Sequence, residues 1–271
     1  MWRGKPATSD ELRQISIDLE DAGYTSVLLT FHSESPDYFI KSAAALIPGH
    51  NLKYMIALRP YHISSQYCAM MVEGFNQIEP NRLIFNWIAG DYQNRPEEKP
   101  QTDVYQDSSS IDTIEKRKIF LRNFVSELKS CSLISSMPDM IFSGYSDYTI
   151  ETANIFDSAT LCMLDDYRKH KDILSINKKI FVAFSVVIID DETERSQIEN
   201  ILINYQDRLL DCTFVGTEDD IINKILNLES EGITDVLISS SNPALFETDL
   251  YDEEKNYLRV NSLTKKIIKG A

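Results

Sequence analysis

The sequence predicts an α/β fold on a parallel sheet, and three observations carry that reading. Short apolar, β-branched runs alternate with amphipathic stretches along most of the chain. Those runs are nearly continuous rather than polar-apolar alternating, as in strands covered on both faces. Hydrophobic residues make up 43% of the 271 and charged residues 25%, which is enough apolar material for a sizeable core.

The elements follow in order. Residues 9–22 (SDELRQISIDLEDA) read as a helix capped by Ser9, with Leu12, Ile15 and Leu19 on one face and Gly23 at its end. TSVLLTF at 25–31 is a strand, 37–47 a helix, LKYMIAL at 52–58 a strand, 64–78 a helix, and LIFNWIA at 83–89 a strand. The polar stretch 90–110 has no hydrophobic period and is long for a connection inside a compact domain, so it is a functional loop or a disordered one. Helices are then expected at 111–128, 146–156, 192–210, 217–231 and about 253–269, with strands at 139–142, 159–163, 179–189 and 234–239. Seven strands fit either an open doubly wound sheet or a (β/α)8 barrel short of one strand. Nothing suggests a second core, so a single domain over 1–271 is expected.

Charge narrows the function. Lys plus Arg number 27 and Asp plus Glu 42, a net −15. That balance argues against a nucleic-acid partner, which needs clustered cations, and against an anionic membrane surface. No apolar run approaches the roughly 18 residues a membrane span needs. The start, MWRGKPATSDELRQ, lacks the apolar core of a signal peptide, so a cytoplasmic location is expected. Cys68, Cys131, Cys162 and Cys212 are widely spaced, with Cys68 and Cys162 in apolar patterns that suit buried structural thiols. The four histidines show no metal-ligand spacing, so no metal site is expected.

Particular motifs then carry a resemblance. AGYTSVLL, YMIALRP, ISSQYCAMMVEGFNQIEPNRLIFN and NWIAGD, all within 11–91, resemble the bacterial luciferase-like flavin monooxygenases, most of all their alkanesulfonate monooxygenase branch. MIFSGYSDYTIETANIFDSATLCM at 140–163 looks like the family's strand-loop-helix for flavin phosphate, and TFVGTEDDIINKILNLESEGITDVLIS at 213–239 like its last helix and final strand. The pieces cover about half of the chain in the right order. The resemblance implies a luciferase-like TIM barrel and reduced FMN supplied by a separate flavin reductase. Oxygen would add to that flavin as a peroxide, used on a small organic substrate. It also implies a homodimer or a heterodimer with a related chain. It assigns cofactor binding to Ala57, Asn86, Ala89, Ser143, Gly144, Tyr145 and Ser146, at the C-terminal ends of strands where barrel sites lie. The loop 143–146 precedes a helix whose free N–H groups suit a phosphate, although Ser146 and Gly144 also read simply as cap and turn residues.

The sequence also departs from the family pattern. Aligned on Phe181, the positions of the sulfonate branch's Arg and His are Phe184 and Val186, and its reactive Cys falls at Ser35. The insertion before the fifth strand is reduced to KSCSLISSMPDM, and MWRGKPAT does not supply the first barrel strand. A degenerate, non-catalytic flavin-binding subunit is therefore one alternative, and a deazaflavin-dependent oxidoreductase another. The catalytic candidates are His32 and Arg59, each at a strand end; either also fits a structural role. His62, Asp91 and Tyr92 have weaker claims, and Trp87 reads as packing.

Overall fold

The computed structural model describes residues 8–30, 37–89, 113–174, 179–205 and 210–270, except 234, 247, 249 and 250. Among them, strands β1 (Ser26–Leu29), β2 (Lys53–Leu58), β3 (Leu83–Trp87), β4 (Asp139–Ser143), β5 (Ala159–Met163), β6 (Ile180–Ile188), β7 (Thr213–Gly216) and β8 (Asp235–Ser239) form one parallel sheet. The pairing order is β1-β2-β3-β4-β5-β6-β7, and β8 pairs with β6. β6 is long enough to serve three partners. Its first half pairs with β5 and β8, and its last four residues pair with β7.

The helices are α1 (Ser9–Asp21), α2 (Tyr38–Ala45), α3 (Ser65–Ile78), α4 (Ile114–Ser130), α5 (Asp147–Ile155), the short α6 (Leu164–Lys169) and α7 (Lys171–Leu174), α8 (Glu192–Tyr205), α9 (Glu218–Ser230) and α10 (Glu253–Gly270). They cover the outer face of the sheet. Phe85, Trp87, Phe124, Leu121 and Phe142 share one outer core, and Val182, Phe184, Val186, Phe214 and Val260 a second.

A separate inner cluster gives the curvature. Met55, Ile84, Ile141, Ala159 and Leu161 pack with Leu28, Phe181, Ala183 and Leu237, which come from β1 to β6 and from β8. Side chains of seven strands meet in one cluster only if the sheet curls on itself, as in a barrel. β7 contributes nothing there; it extends the pairing of β6 outside the ring. Among the described residues no strand pairing joins β1 to β8, so the ring is open between them. This matches the barrel expected to lack its first strand. The chain from Cys131 to Pro138 passes straight from α4 to β4, in keeping with a shortened insertion.

Several expectations need correction. The cap of α1 is Thr8, not Ser9, in a capping box with Glu11. The strand β7 was not predicted, because TFVG is too short to show a period between two strong helices. The helical turns of α6 and α7 were likewise missed: LDDYRKHKDIL follows β5 with no breaker residue between them. The third predicted strand ends at Trp87 rather than Ala89, and the fourth extends to Ser143. Cys68 and Cys162 are buried, and burial pushes both thiols up to about 12, which makes them inert.

One buried amide joins the end of the sheet to the last helix. Asn256 is 4% exposed. Its Nδ2 donates to the Val186 carbonyl at 2.8 Å and the Ser240 carbonyl at 2.7 Å, while its Oδ1 accepts from the Ile188 N–H at 3.0 Å. Asn256→Ala strands these buried groups and is expected to lower stability by about 3 kcal/mol, read from urea unfolding. Stability should also depend on acid. The Lys255 ammonium beside Asp190, the Thr217 hydroxyl beside Asp220 and the Arg168 guanidinium beside Glu231 each hold a carboxyl below its ordinary value. A depressed folded-state value contributes stability that is complete above the ordinary range and is lost as pH falls through the lowered one. The melting temperature is therefore expected to hold above pH 5 and to drop progressively below about pH 4. A flat profile down to pH 3 would show that these contacts do not form in solution.

Candidate functional site

Alternation along the strands sorts the predicted residues. Met55 and Ile84 point into the ring, so Ala57 and Asn86, two residues further along β2 and β3, do as well. They are direct register partners, and Asn86 is also opposite the inward Ile141 of β4. Ser143, two residues beyond Ile141, donates its hydroxyl to Asn86 Oδ1 at 2.6 Å. Ala57, Asn86 and Ser143 thus form a row at the C-terminal mouth of three adjacent strands. Arg59 follows with extended backbone (φ −113, ψ 118), which sends its side chain off the same face as Ala57, and it is 7% exposed. Trp87 points the other way and packs edge-on against Phe85 and Phe124 at centroid distances of 5.1 and 5.6 Å. It is packing, as expected.

The loop after β4 is shaped by Gly144. Its φ is +129°, and a Cβ there would lie 3.1 Å from Thr149 Oγ1. The Gly144 N–H donates to the Leu161 carbonyl at 2.8 Å, which pins the turn to β5. Ser146 caps α5: its hydroxyl accepts from the Thr149 N–H at 3.3 Å and sits 2.9 Å from Thr149 Oγ1. Tyr145 stacks on His170 at 4.5 Å with rings 10° from parallel.

Two cations of α4 lie against the first turns of α5, each already paired with a carboxylate, Lys118 with Glu115 and Arg122 with Glu151. The Arg122 guanidinium lies 4.4 Å and the Lys118 ammonium 5.5 Å from the ring centre of Tyr148, in the first turn of α5. Arg122 also donates to Glu151 and Thr152, both at 3.1 Å. The loop therefore combines a helix N-terminus, two hydroxyls and a backbone that approaches closely at glycine, which suits an anionic group. Asp147 is exposed in the first turn and is the one acid there. Across the mouth, the Thr30 hydroxyl beyond β1 is buried with no partner among the described residues, so a polar ligand group would be matched on that side too.

Sequence reasoning missed Lys118, Arg122, Thr149 and His170. The first two belong to another helix and are far away in sequence, as His170 is. Thr149 was readable, as the third residue after the cap. His32, Ser35, Asp91 and Tyr92 lie outside the described residues. Ala89 lies beyond the end of β3, where its carbonyl accepts from the Tyr61 hydroxyl at 3.4 Å. Phe184 and Val186 are 1% and 0% exposed in the outer core, so they do not face the ring. The inward residues of that strand are Phe181 and Ala183 and, by alternation, Ser185.

No protein-family model matches the sequence. Solved structures do. The oxygenating constituent of 3,6-diketocamphane monooxygenase from Pseudomonas putida, in complex with FMN, is 16% identical with a TM-score of 0.68, over 99% of this chain and 95% of that one. A riboflavin lyase with modified FMN and riboflavin is 11% identical at 0.69, over 97% and 85%. An F420-dependent secondary alcohol dehydrogenase with an F420-acetone adduct is 12% identical at 0.66, over 96% and 94%. At these identities the likeness establishes the fold alone, that of the luciferase-like TIM barrels, with no described strand between β1 and β8. The likeness extends over several branches and does not single out the alkanesulfonate one.

Gly144→Ala combines a strained φ with the close approach to Thr149. It is expected to cost about 1–3 kcal/mol and to shift the amide resonances of residues 143–149 while leaving those of α10 in place.

Proposed function

We propose that this chain binds a flavin-type cofactor at the C-terminal mouth of its barrel and acts as a flavin-dependent, two-component monooxygenase on a small organic substrate. The observation that carries the reading is the loop 143–146, where Gly144 at +129° lays its backbone beside the capped N-terminus of α5. Ser143, Gly144, Tyr145 and Ser146 would hold the phosphate of FMN. Ala57, Asn86 and Ala89 would border the ring system, and Arg59 would supply a fixed positive charge. Bound reduced flavin would contribute the electrons for oxygen chemistry. The chain's own part is to orient the flavin and to keep water from it with the apolar cluster below, where Met55, Ile84 and Ile141 close the bottom of the mouth.

A separate reductase would supply the reduced flavin, and a dimer follows by the same reasoning. A deazaflavin is the second reading, and the likeness to an F420-dependent dehydrogenase favours it specifically. On this reading either cofactor would present a phosphate to the same loop, so binding of one alone would not separate them. Comparing reduced FMN with reduced F420 does.

Anaerobic titration with reduced FMN, followed by flavin fluorescence, is expected to saturate in the micromolar range or tighter. Ser146→Asp keeps a good helix cap but sets a carboxylate against the phosphate, so affinity should fall about tenfold or more. Unchanged affinity would refute the phosphate site. No binding by a chain shown to be folded by circular dichroism would refute the flavin reading and leave a non-catalytic subunit.

A further inference from the structure

We propose that the β6–β8 side of the barrel mouth is a specificity wall for an uncharged substrate with a carbonyl or similar acceptor oxygen, and that the Ser185 hydroxyl is its donor. The proposal rests on the flavin reading above and names the substrate class that the same mouth would take.

The wall follows from strand alternation. One inward residue of each ring strand, from Leu28 on β1 to Leu237 on β8, lies in the apolar inner cluster. The residue two positions further along each strand points the same way, one layer higher, at the mouth. On β1 to β4 that layer is Thr30 and the row Ala57, Asn86 and Ser143; on β5, β6 and β8 it is Met163, Ser185 and Ser239. Most of these side chains are small, so they leave room above the apolar floor, and none of the seven is ionisable.

Ser185 and Ser239 are direct register partners. Both stay half-buried although Phe184, Val186 and Ser240 beside them are buried, so their open side is the ring. β4 and β5 separate β6 from β3, while β1 and the opening separate β8 from β2. The two serines therefore face Ala57 and Asn86 across the mouth. A substrate held beside a flavin at Ala57 and Asn86 would meet them.

Hydrogen bonding singles out Ser185. The Ser239 hydroxyl donates to the Ser241 carbonyl at 2.9 Å and accepts from the Ser241 N–H at 3.2 Å, so its proton is committed. Ser185 Oγ reaches the same carbonyl only at 3.4 Å, the outer limit of a hydrogen bond. Its proton can turn to a nearer acceptor at little loss. The Ser241 hydroxyl behind them is buried with no partner among the described residues, so this corner has polar capacity to spare.

The ligand class follows from the donor. A carbonyl oxygen loses little hydration and gains the Ser185 bond. A sulfonate or carboxylate would give up much more water, and no cation of that layer would replace it. Arg59 follows Ala57 and so stands on the opposite side, where the flavin is placed.

Cyclohexanone, cyclohexanesulfonate and methylenecyclohexane test this, because one ring carries in turn a neutral acceptor, an anion and neither. Each is titrated into the full chain without flavin and followed by amide resonances. Cyclohexanone is expected to saturate in the millimolar range and to shift Ser185 and Ser239, with the sulfonate about tenfold weaker or more. Ser185→Ala removes the donor and, within the protein, only its long contact with the Ser241 carbonyl. It should weaken the ketone about three- to tenfold and leave methylenecyclohexane as before. Equal loss of both ligands would make Ser185 structural and overturn the proposal. Sulfonate binding as tight as the ketone's, shifts confined to other residues, or a ketone that does not saturate would overturn it too. The reduced-FMN titration is read separately: a chain that binds FMN but not the ketone keeps the flavin reading and loses the wall, and one that binds the ketone but not FMN does the reverse.

Discussion

The backbone ladder that converges on β6 is the interaction on which the rest of the structure depends. β6 is the only described strand that meets three others, and its nine residues are divided among them by length. Without β6, the sheet from β1 to β5 and the strand β8 have no common member. Its alternation also sets two cores at once: Val182, Phe184 and Val186 go outward to the helices, and Phe181 and Ala183 inward to the ring. Asn256 then fixes the far end of β6 to α10 through three hydrogen bonds. A parallel ladder tolerates no uncovered face, so the helices follow from the sheet rather than the reverse.

The candidate site draws on the same geometry. Its residues come from β2, β3, β4 and the start of α5, and a single register places Ala57, Asn86 and Ile141 side by side. The Ser143–Asn86 hydrogen bond ties two adjacent strand ends together, so the row is preorganised by the scaffold rather than assembled on binding. The cations nearest the loop come from another element, α4, and both are paired with carboxylates, Lys118 with Glu115 and Arg122 with Glu151, so the feature that favours an anionic ligand is the helix N-terminus itself.

Much of this was legible in the sequence. Strand-helix alternation and the continuous apolar runs fixed the parallel sheet, and Ser64, Ser146 and Thr217 were read at helix starts that they do cap. The row Ala57–Asn86–Ser143 was accessible in part, since strand alternation allowed one of Asn86 and Trp87 to face inward but did not say which. What stayed hidden has common causes. TFVG is too short to carry a period. The inward phase of β6 cannot be read from a run apolar at almost every position, so Phe184 and Val186 were compared with site residues although both lie in the outer core. The approach of Lys118, Arg122 and His170 to the loop at 143–149 is a tertiary fact with no local signal.

The open ring has a mechanical consequence. In a closed barrel no pair of strands can part without straining every other, much as a hoop resists at all points together. Here no described strand closes the circle between its two lips, β1 and β8, and each is laddered on one side only. The inner cluster of Leu28, Phe181 and Leu237 lies just behind those lips. A force parting the sheet there would be opposed by one ladder on each lip, where a closed ring would oppose it with two.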